Sequence, residues 1–66
     1  MTIVINGAEY VLPEGQTLGQ AVAALFPELR PAVAELNGRI ANRDDWNTTR
    51  LQDGDRMELI EIVGGG

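Results

Sequence analysis

The sequence contains no cysteine, no histidine and no lysine among its 66 residues. Without cysteine there is no disulfide framework and no thiolate metal site. Without histidine the usual general base, the usual zinc ligand and every Ser-His or Cys-His nucleophile pair are missing. Without lysine no side-chain amine can form a Schiff base or an isopeptide. These absences exclude most enzyme mechanisms, and we expect a protein that holds no metal and no cofactor.

Positive charge and long apolar runs are also scarce. The net charge is −5, which opposes binding to nucleic acid or anionic membranes and favours a partner with a basic docking face. No apolar run approaches the roughly 18 residues of a membrane span. The first residues lack the basic and apolar regions of a signal peptide. The sequence predicts a cytoplasmic protein that binds neither nucleic acid nor membranes.

The composition is that of an ordinary globular chain. Hydrophobic residues make up 44% and charged residues 23% of the sequence, which is too apolar for a disordered chain. A chain of this length forms one domain with a small core. We expect a single domain over residues 1–66, with a tail at residues 64–66.

The first half of the chain predicts a hairpin followed by a helix. "TIVING" and "AEYVL" read as strands joined at Asn6-Gly7, the dipeptide that most favours a type I′ turn. Thr17 and Gln20 have the spacing of a capping box at a helix start. Pro27 stops the helix, and Pro31 keeps "PELRP" extended. The helix carries an apolar stripe at i, i+3, i+4 and i+7, formed by Leu18, Ala21, Val22 and Leu25.

The second half predicts three more strands. "AVAEL" and "RIA" flank a second Asn-Gly turn at Asn37-Gly38. Asn42 is a candidate cap for one helical turn that carries Trp46. The chain then turns through Gly54 into the last strand, "RMELIEIV". The order predicts an α+β fold, in which a mixed sheet of four to five strands packs on one main helix and the last strand is central.

Alternation along the last strand divides its side chains between two faces. If Met57 and Leu59 face the core, then Glu58, Ile60 and Ile62 face the open side of the sheet. Exposed isoleucines beside the chain end would form a surface for docking a partner. The alternative is a β-bulge near Ile60 that turns one isoleucine inward.

The chain ends "EIVGGG". A carboxylate is a poor electrophile, and it becomes reactive when it attacks a nucleotide phosphate to give an acyl adenylate in another protein's pocket. Gly64, Gly65 and Gly66 would suit such a pocket, because glycine has no side chain to clash and the widest conformational freedom. The alternative is an appended linker of no function.

Five segments together resemble the ubiquitin-like β-grasp sulfur carriers, in particular those of thiamine biosynthesis. They are "TIVING", "LPEGQTLGQAV", "AELNGRIANRDDW", "LQDGDRMELIEIV" and the terminal "GGG". The family often has a Pro-Arg-acidic-acidic-Trp run; here Asn42 departs from it and "RDDW" agrees. The "DGD" turn is shared with the small subunit of molybdopterin synthase. The resemblance covers essentially the whole chain.

The resemblance implies a chemical role for the last residue. By this resemblance, Gly66 is adenylated by an adenylyltransferase of the ubiquitin-activating type, which uses ATP. The adenylate is then converted to a thiocarboxylate with sulfur from a donor such as a cysteine desulfurase. The carrier then delivers sulfur to thiazole synthase, and is a co-substrate and not an enzyme. Alternatives are a sulfur carrier for molybdopterin or another metabolite, a ubiquitin-like modifier of lysines, and a binding module with an inert tail.

Other conspicuous residues have two interpretations each. Trp46 is a core residue or a partner contact. Adjacent carboxylates at Asp44 and Asp45 form only a weak metal site without converging ligands. Four acidic residues near the end of the sequence form either a complement to a basic rim on the activating enzyme or a solvated face with a turn: Asp53, Asp55, Glu58 and Glu61.

Overall fold

The structure, a computed structural model, describes residues 1–31 and 33–61. Within them the sheet has five strands in the order β2-β1-β5-β3-β4, with β1 and β5 parallel and the other neighbours antiparallel. The predicted α+β arrangement of the ubiquitin-like β-grasp, with the last strand central, is confirmed. The elements are β1 Thr2–Ile5, β2 Ala8–Val11, α1 Leu18–Leu25, β3 Val33–Leu36, β4 Arg39–Ala41, a 3-10 helix Arg43–Asp45 and β5 Arg56–Ile60.

Both Asn-Gly dipeptides form tight turns between antiparallel strands, as predicted. Asn6 and Gly7 have φ values of 50° and 83°, and Asn37 and Gly38 have 53° and 83°. Positive φ at both central positions is the condition for a type I′ turn, and asparagine and glycine adopt it at low cost. The turns therefore fix the registers of β1 with β2 and of β3 with β4.

The helix begins with the predicted capping box. The backbone N–H of Gln20 donates to Thr17 Oγ1 over 3.1 Å, and the Thr17 N–H donates to Gln20 Oε1 over 2.9 Å. These bonds satisfy donors that have no partner within the helix. Of the predicted stripe, three residues are buried and Leu25 is half-buried. The stripe packs on the sheet.

The core lies between the helix and one face of the sheet. Its fully buried large side chains include Ile3, Ile5, Leu18 and Met57. Trp46 and Leu51 close the core from the connection between β4 and β5. Alternation along β1 and β5 therefore gives the sheet one covered face and one open face.

Gly19 lies where this connection crosses the helix. A Cβ at Gly19 would be 2.5 Å from Asn47 Oδ1 and 3.4 Å from the Trp46 carbonyl oxygen. The Gly19 N–H donates to that carbonyl over 3.0 Å. Glycine weakens a helix by about 1 kcal/mol relative to alanine, and here it allows the close approach that seats Trp46.

One local prediction is wrong. The segment "PELRP" is not extended throughout, because residues 27–28 form a turn in which the Leu29 N–H donates to the Phe26 carbonyl over 3.1 Å. Leu29 packs against the core and Pro31 is fully buried. Burial of these two side chains bends the connection back over the end of the helix.

Candidate functional site

The predicted site is the end of β5 and the residues that follow it. Gly64, Gly65, Gly66 and Ile62 lie outside the described residues, so their predicted roles stay predictions. The described part of the site runs from Glu58 to Glu61. Its geometry is set by the way the sheet holds β5.

Strand β5 is held from both sides. On one side it pairs parallel with β1, with Val4 opposite Arg56. On the other it pairs antiparallel with β3, with Val33 opposite Ile60. The backbone of β5 is thus paired with β1 as far as Met57 and with β3 as far as Ile60. Ile60, the last residue of β5, lies beside the first residue of β3.

The side chain of Asn6 extends the parallel ladder by one step toward the chain end. The Asn6 N–H donates to the Met57 carbonyl over 3.0 Å, after which the chain turns away at Gly7. The Leu59 N–H then donates to Asn6 Oδ1 over 2.8 Å. The amide oxygen takes the place that a backbone carbonyl would have if β1 continued. Asn6 is thus a turn residue and a clamp on β5.

Replacing Asn6 with glycine is expected to loosen this end of β5. Glycine keeps the positive φ but removes the acceptor for the Leu59 N–H, which should lower the free energy of unfolding by about 1–2 kcal/mol. Asn6→Asp is the matched control, because its carboxylate still accepts and aspartate tolerates this conformation. Urea unfolding and exchange of the Leu59 amide hydrogen measure the effect. Equal exchange rates in the two variants would contradict the clamp.

Asn37 holds the other end of β5 in a similar way. Its backbone N–H donates to the Arg56 carbonyl over 2.7 Å, and its Oδ1 accepts from the Arg56 N–H over 2.9 Å. Its Nδ2 donates to Asp55 Oδ1 over 3.0 Å. The sequence identified both asparagines as turn formers and missed their contacts with β5. The available indication was that both turns contain asparagine, whose side chain can also bond a neighbouring backbone.

The two faces of β5 differ as alternation predicts. Met57 is fully buried and Leu59 is 8% exposed, whereas Ile60 is 45% exposed and Glu58 is exposed. The pairing of β5 with β3 is regular as far as Ile60, which excludes a bulge up to that residue, whereas Ile62 lies outside the described residues. Ile60 and Glu58 lie on the open face, as the predicted docking surface requires.

The open face carries two further exposed apolar side chains. Ile40 on β4 is 70% exposed and Val11 on β2 is 83% exposed. Ile40 lies opposite Glu35, and Val11 lies opposite Thr2. Ile40 was not predicted to be a surface residue, although the Asn37-Gly38 turn fixes its register and hence its face.

The four acidic residues do not form one surface. Asp53 Oδ1 accepts from the Thr2 N–H over 2.7 Å, and Asp55 Oδ2 accepts from the Gln52 N–H over 2.7 Å. Both aspartates precede β5, at the end away from the predicted tail, and their oxygens stabilise the turn. Glu58 and Glu61 are exposed. The structure therefore favours a role for these two aspartates in the turn over a role as complement to a basic rim on the activating enzyme.

Trp46 is a core residue. It is 4% exposed, and its Nε1–H donates to the Ala41 carbonyl over 3.0 Å. The Arg43 guanidinium lies 4.5 Å from the centre of its ring, which is a cation–π distance. Asn42 occupies the predicted cap position of the short helix but its side chain makes no capping bond. Asn42 is therefore the N-cap by position, without the side-chain bond that such a residue commonly forms.

A groove lies on the helix side of the sheet, between α1 and the connection that carries Trp46. It has a volume of about 310 Å³ and is lined by residues that include Val22, Phe26 and Arg43. Across residues 1–31 and 33–61, no three potential metal-ligating side chains come together. The same part of the chain has no helix of the length and apolarity needed to cross a bilayer.

Known proteins match the chain in sequence over its whole length. The chain is 29% identical over 66 residues to the sulfur carrier protein ThiS of Escherichia coli K12, covering all of both chains. It is equally similar to a thiazole synthase of Paramagnetospirillum magneticum, of which it spans 20% of the length. It is 31% identical over 65 residues to the ycf40 protein of Trieres chinensis, with 98% and 89% of the two chains covered.

The fold also has a close counterpart among solved structures. The crystal structure of the thiamine biosynthesis protein ThiS from Geobacter metallireducens superposes with a TM-score of 0.83, at 28% identity and full coverage of both chains. The sequence profile of the ThiS family matches residues 2–66. The chain therefore belongs to the ThiS family.

Proposed function

We propose that the chain is a sulfur carrier of thiamine biosynthesis. The Gly66 carboxylate attacks the α-phosphate of ATP bound to an adenylyltransferase of the ubiquitin-activating type, and pyrophosphate leaves. The terminal sulfur of a donor persulfide, such as that of a cysteine desulfurase, displaces AMP to give an acyl persulfide. A second thiol of the donor system then attacks the donor's sulfur, so that a disulfide forms and the thiocarboxylate is released. The thiocarboxylate sulfur passes to thiazole synthase. The chain is a co-substrate, and ATP binds to the activating partner.

The extent of the family match carries this proposal. The match runs to residue 66 and so includes all three terminal glycines. The Escherichia coli relative that aligns over its full length is named a sulfur carrier protein. A matching segment forms part of a thiazole synthase in Paramagnetospirillum magneticum. Joining two modules in one chain raises their effective concentration for each other, which supports thiazole synthase as the sulfur acceptor.

The open face beside the chain end supports a docking role for Glu58, Ile60 and Ile62. Ordering each tail residue in a partner's pocket costs about 1–2 kcal/mol, and contacts of the folded body offset this cost. Ile60 is 45% exposed and Glu58 is exposed on the same face. An uncovered aliphatic side chain on a sheet face suits such a contact.

Intact mass after incubation with ATP, the adenylyltransferase and a sulfur donor tests the proposal. Thiocarboxylate formation should add about 16 Da, the difference between one sulfur and one oxygen atom. Omitting the donor is the control and should give no such product. An unchanged mass, under conditions in which the Escherichia coli carrier gains sulfur, would contradict the proposal. Lysate adducts larger by about 7.1 kDa that resist thiols would instead indicate a lysine modifier.

A further inference from the structure

Two carboxylates face each other across the open face of the sheet. Glu35 on β3 and Glu58 on β5 are directly paired in the register. Side chains at such positions have Cβ atoms about 4.5–5.5 Å apart, and like charges there destabilise a sheet. In the described residues, which include all five arginines, neither carboxylate has a basic nitrogen within ion-pair distance.

Apolar side chains flank this pair on both sides. Ile40 lies opposite Glu35 on β4 and is 70% exposed. Ile60 lies two residues beyond Glu58 on the same face and is 45% exposed. A carboxylate pair between exposed isoleucines differs from an ordinary solvated face, because a partner that covers the isoleucines must also cover the charges. Burying these charges without a counter-charge would be costly.

Arg56 does not neutralise the pair. It lies on the same face, two residues before Glu58, yet forms no ion pair with it. Its backbone N–H is bound to Asn37 Oδ1, so the turn fixes its position on β5. The carboxylates of Glu35 and Glu58 are therefore free to bind a cation that arrives from outside.

We propose that the Glu35–Glu58 pair binds a basic side chain, most suitably arginine, of the protein that docks on the Ile40–Ile60 face. A planar guanidinium has five donors and can bond both carboxylates at once. This inference rests on the proposed function, in which the adenylyltransferase must hold the tail against its bound ATP, and that enzyme is the docking protein proposed here. The net charge of −5 favours a basic partner over a second copy of this chain.

Neutralising either glutamate of the pair should have opposite effects on the stability of the free chain and on binding. Removing one charge relieves the repulsion in the free chain, so Glu35→Gln and Glu58→Gln should each raise the midpoint of thermal unfolding by about 1–5 °C. The same substitutions should weaken binding to the adenylyltransferase about tenfold, because the partner's cation loses a ligand. A merely solvated pair would give the first effect without the second.

Calorimetric titration of the adenylyltransferase, from the organism that carries this chain, measures binding at low and high salt. Glu9→Gln is the matched control, because Glu9 lies on the same face but opposite Val4. We expect Glu9→Gln to bind like the unmodified chain, and the double variant Glu35→Gln/Glu58→Gln to lose both affinity and salt dependence. If the double variant binds as Glu9→Gln does, or alters only self-association in sedimentation, the inference is overturned.

Other outcomes separate this inference from the proposed function. An unmodified chain that binds the enzyme but gains no sulfur contradicts the proposed function and leaves the comparison of variants readable. If the unmodified chain gains sulfur and the double variant binds normally, the inference about the Glu35–Glu58 pair is contradicted and the proposed function is not. A complete lack of binding contradicts both.

Discussion

Replacing Trp46 with alanine should leave much of the protein unfolded at 37 °C. The side chain is 4% exposed and closes the core beside Leu51. Truncating a buried tryptophan to alanine costs about 3–5 kcal/mol, whereas a domain of this size has a total stability of about 3–10 kcal/mol. Far-ultraviolet circular dichroism during urea unfolding measures the loss.

Trp46→Phe separates packing from the indole hydrogen bond. Phenylalanine keeps most of the apolar contact but removes the Nε1–H donor to the Ala41 carbonyl, so we expect a smaller loss of about 1–3 kcal/mol. Trp46 is the only tryptophan in the sequence, so its own fluorescence reports its exposure during unfolding. An alanine variant with the stability of the unmodified chain, but with weaker partner binding, would favour the contact interpretation instead.

Most of the fold could be predicted because its turns and its helix cap are determined by residues close together in sequence. Asn6-Gly7 and Asn37-Gly38 each contain both residues that a type I′ turn needs, so the turn and the register follow from two letters. Thr17 and Gln20 form both capping bonds within three residues of each other. Alternation along β5 depends only on strand geometry, so it predicted Ile60 on the open face, with a bulge as the alternative.

The parts that could not be predicted depend on contacts between distant residues. The Leu59 N–H and Asn6 Oδ1 are 53 positions apart, and nothing near either residue indicates the bond. The direct opposition of Glu35 and Glu58 requires the pairing of β3 with β5, which follows only from the complete strand order. The turn after α1 was missed for a related reason, since burial of Leu29 and Pro31 decides its shape.

Proximity in sequence made two aspartates candidates for a partner contact, the alternative to the turn that the structure favours. Asp53 and Asp55 are near the chain end in sequence, but β5 separates them from it. Five strand residues extend over about 16 Å, and both carboxylates are already bound to backbone or side-chain donors. Glu58 lies within β5 and stays exposed. Position along a strand therefore distinguishes a turn residue from a surface residue better than distance along the sequence.

Deleting Gly65 and Gly66 should abolish sulfur loading without changing the stability of the fold. Glycine has no side chain to contribute to the core, so we expect an unchanged midpoint of thermal unfolding. The shortened chain still ends in a glycine carboxylate, and therefore has the same reacting group. Intact mass and pyrophosphate release with ATP, the adenylyltransferase and the sulfur donor measure its activity.

The expected loss of sulfur loading follows from the shorter length of the tail. Two extended residues span about 7 Å, and a misplacement of even 1 Å at a reacting centre can cost about 100-fold in rate. With the folded body docked on the partner, the shortened chain's carboxylate cannot reach the α-phosphate of ATP, and loading should fall by at least about 100-fold.

Gly66→Ala keeps the length and should retain more activity than the deletion. Because the Ile40–Ile60 face is intact, the shortened chain should still compete with the unmodified chain for the enzyme. A shortened chain that gains sulfur at the normal rate would contradict a role for tail length, and one that fails to compete would mean that the tail, rather than the sheet face, provides most of the binding energy.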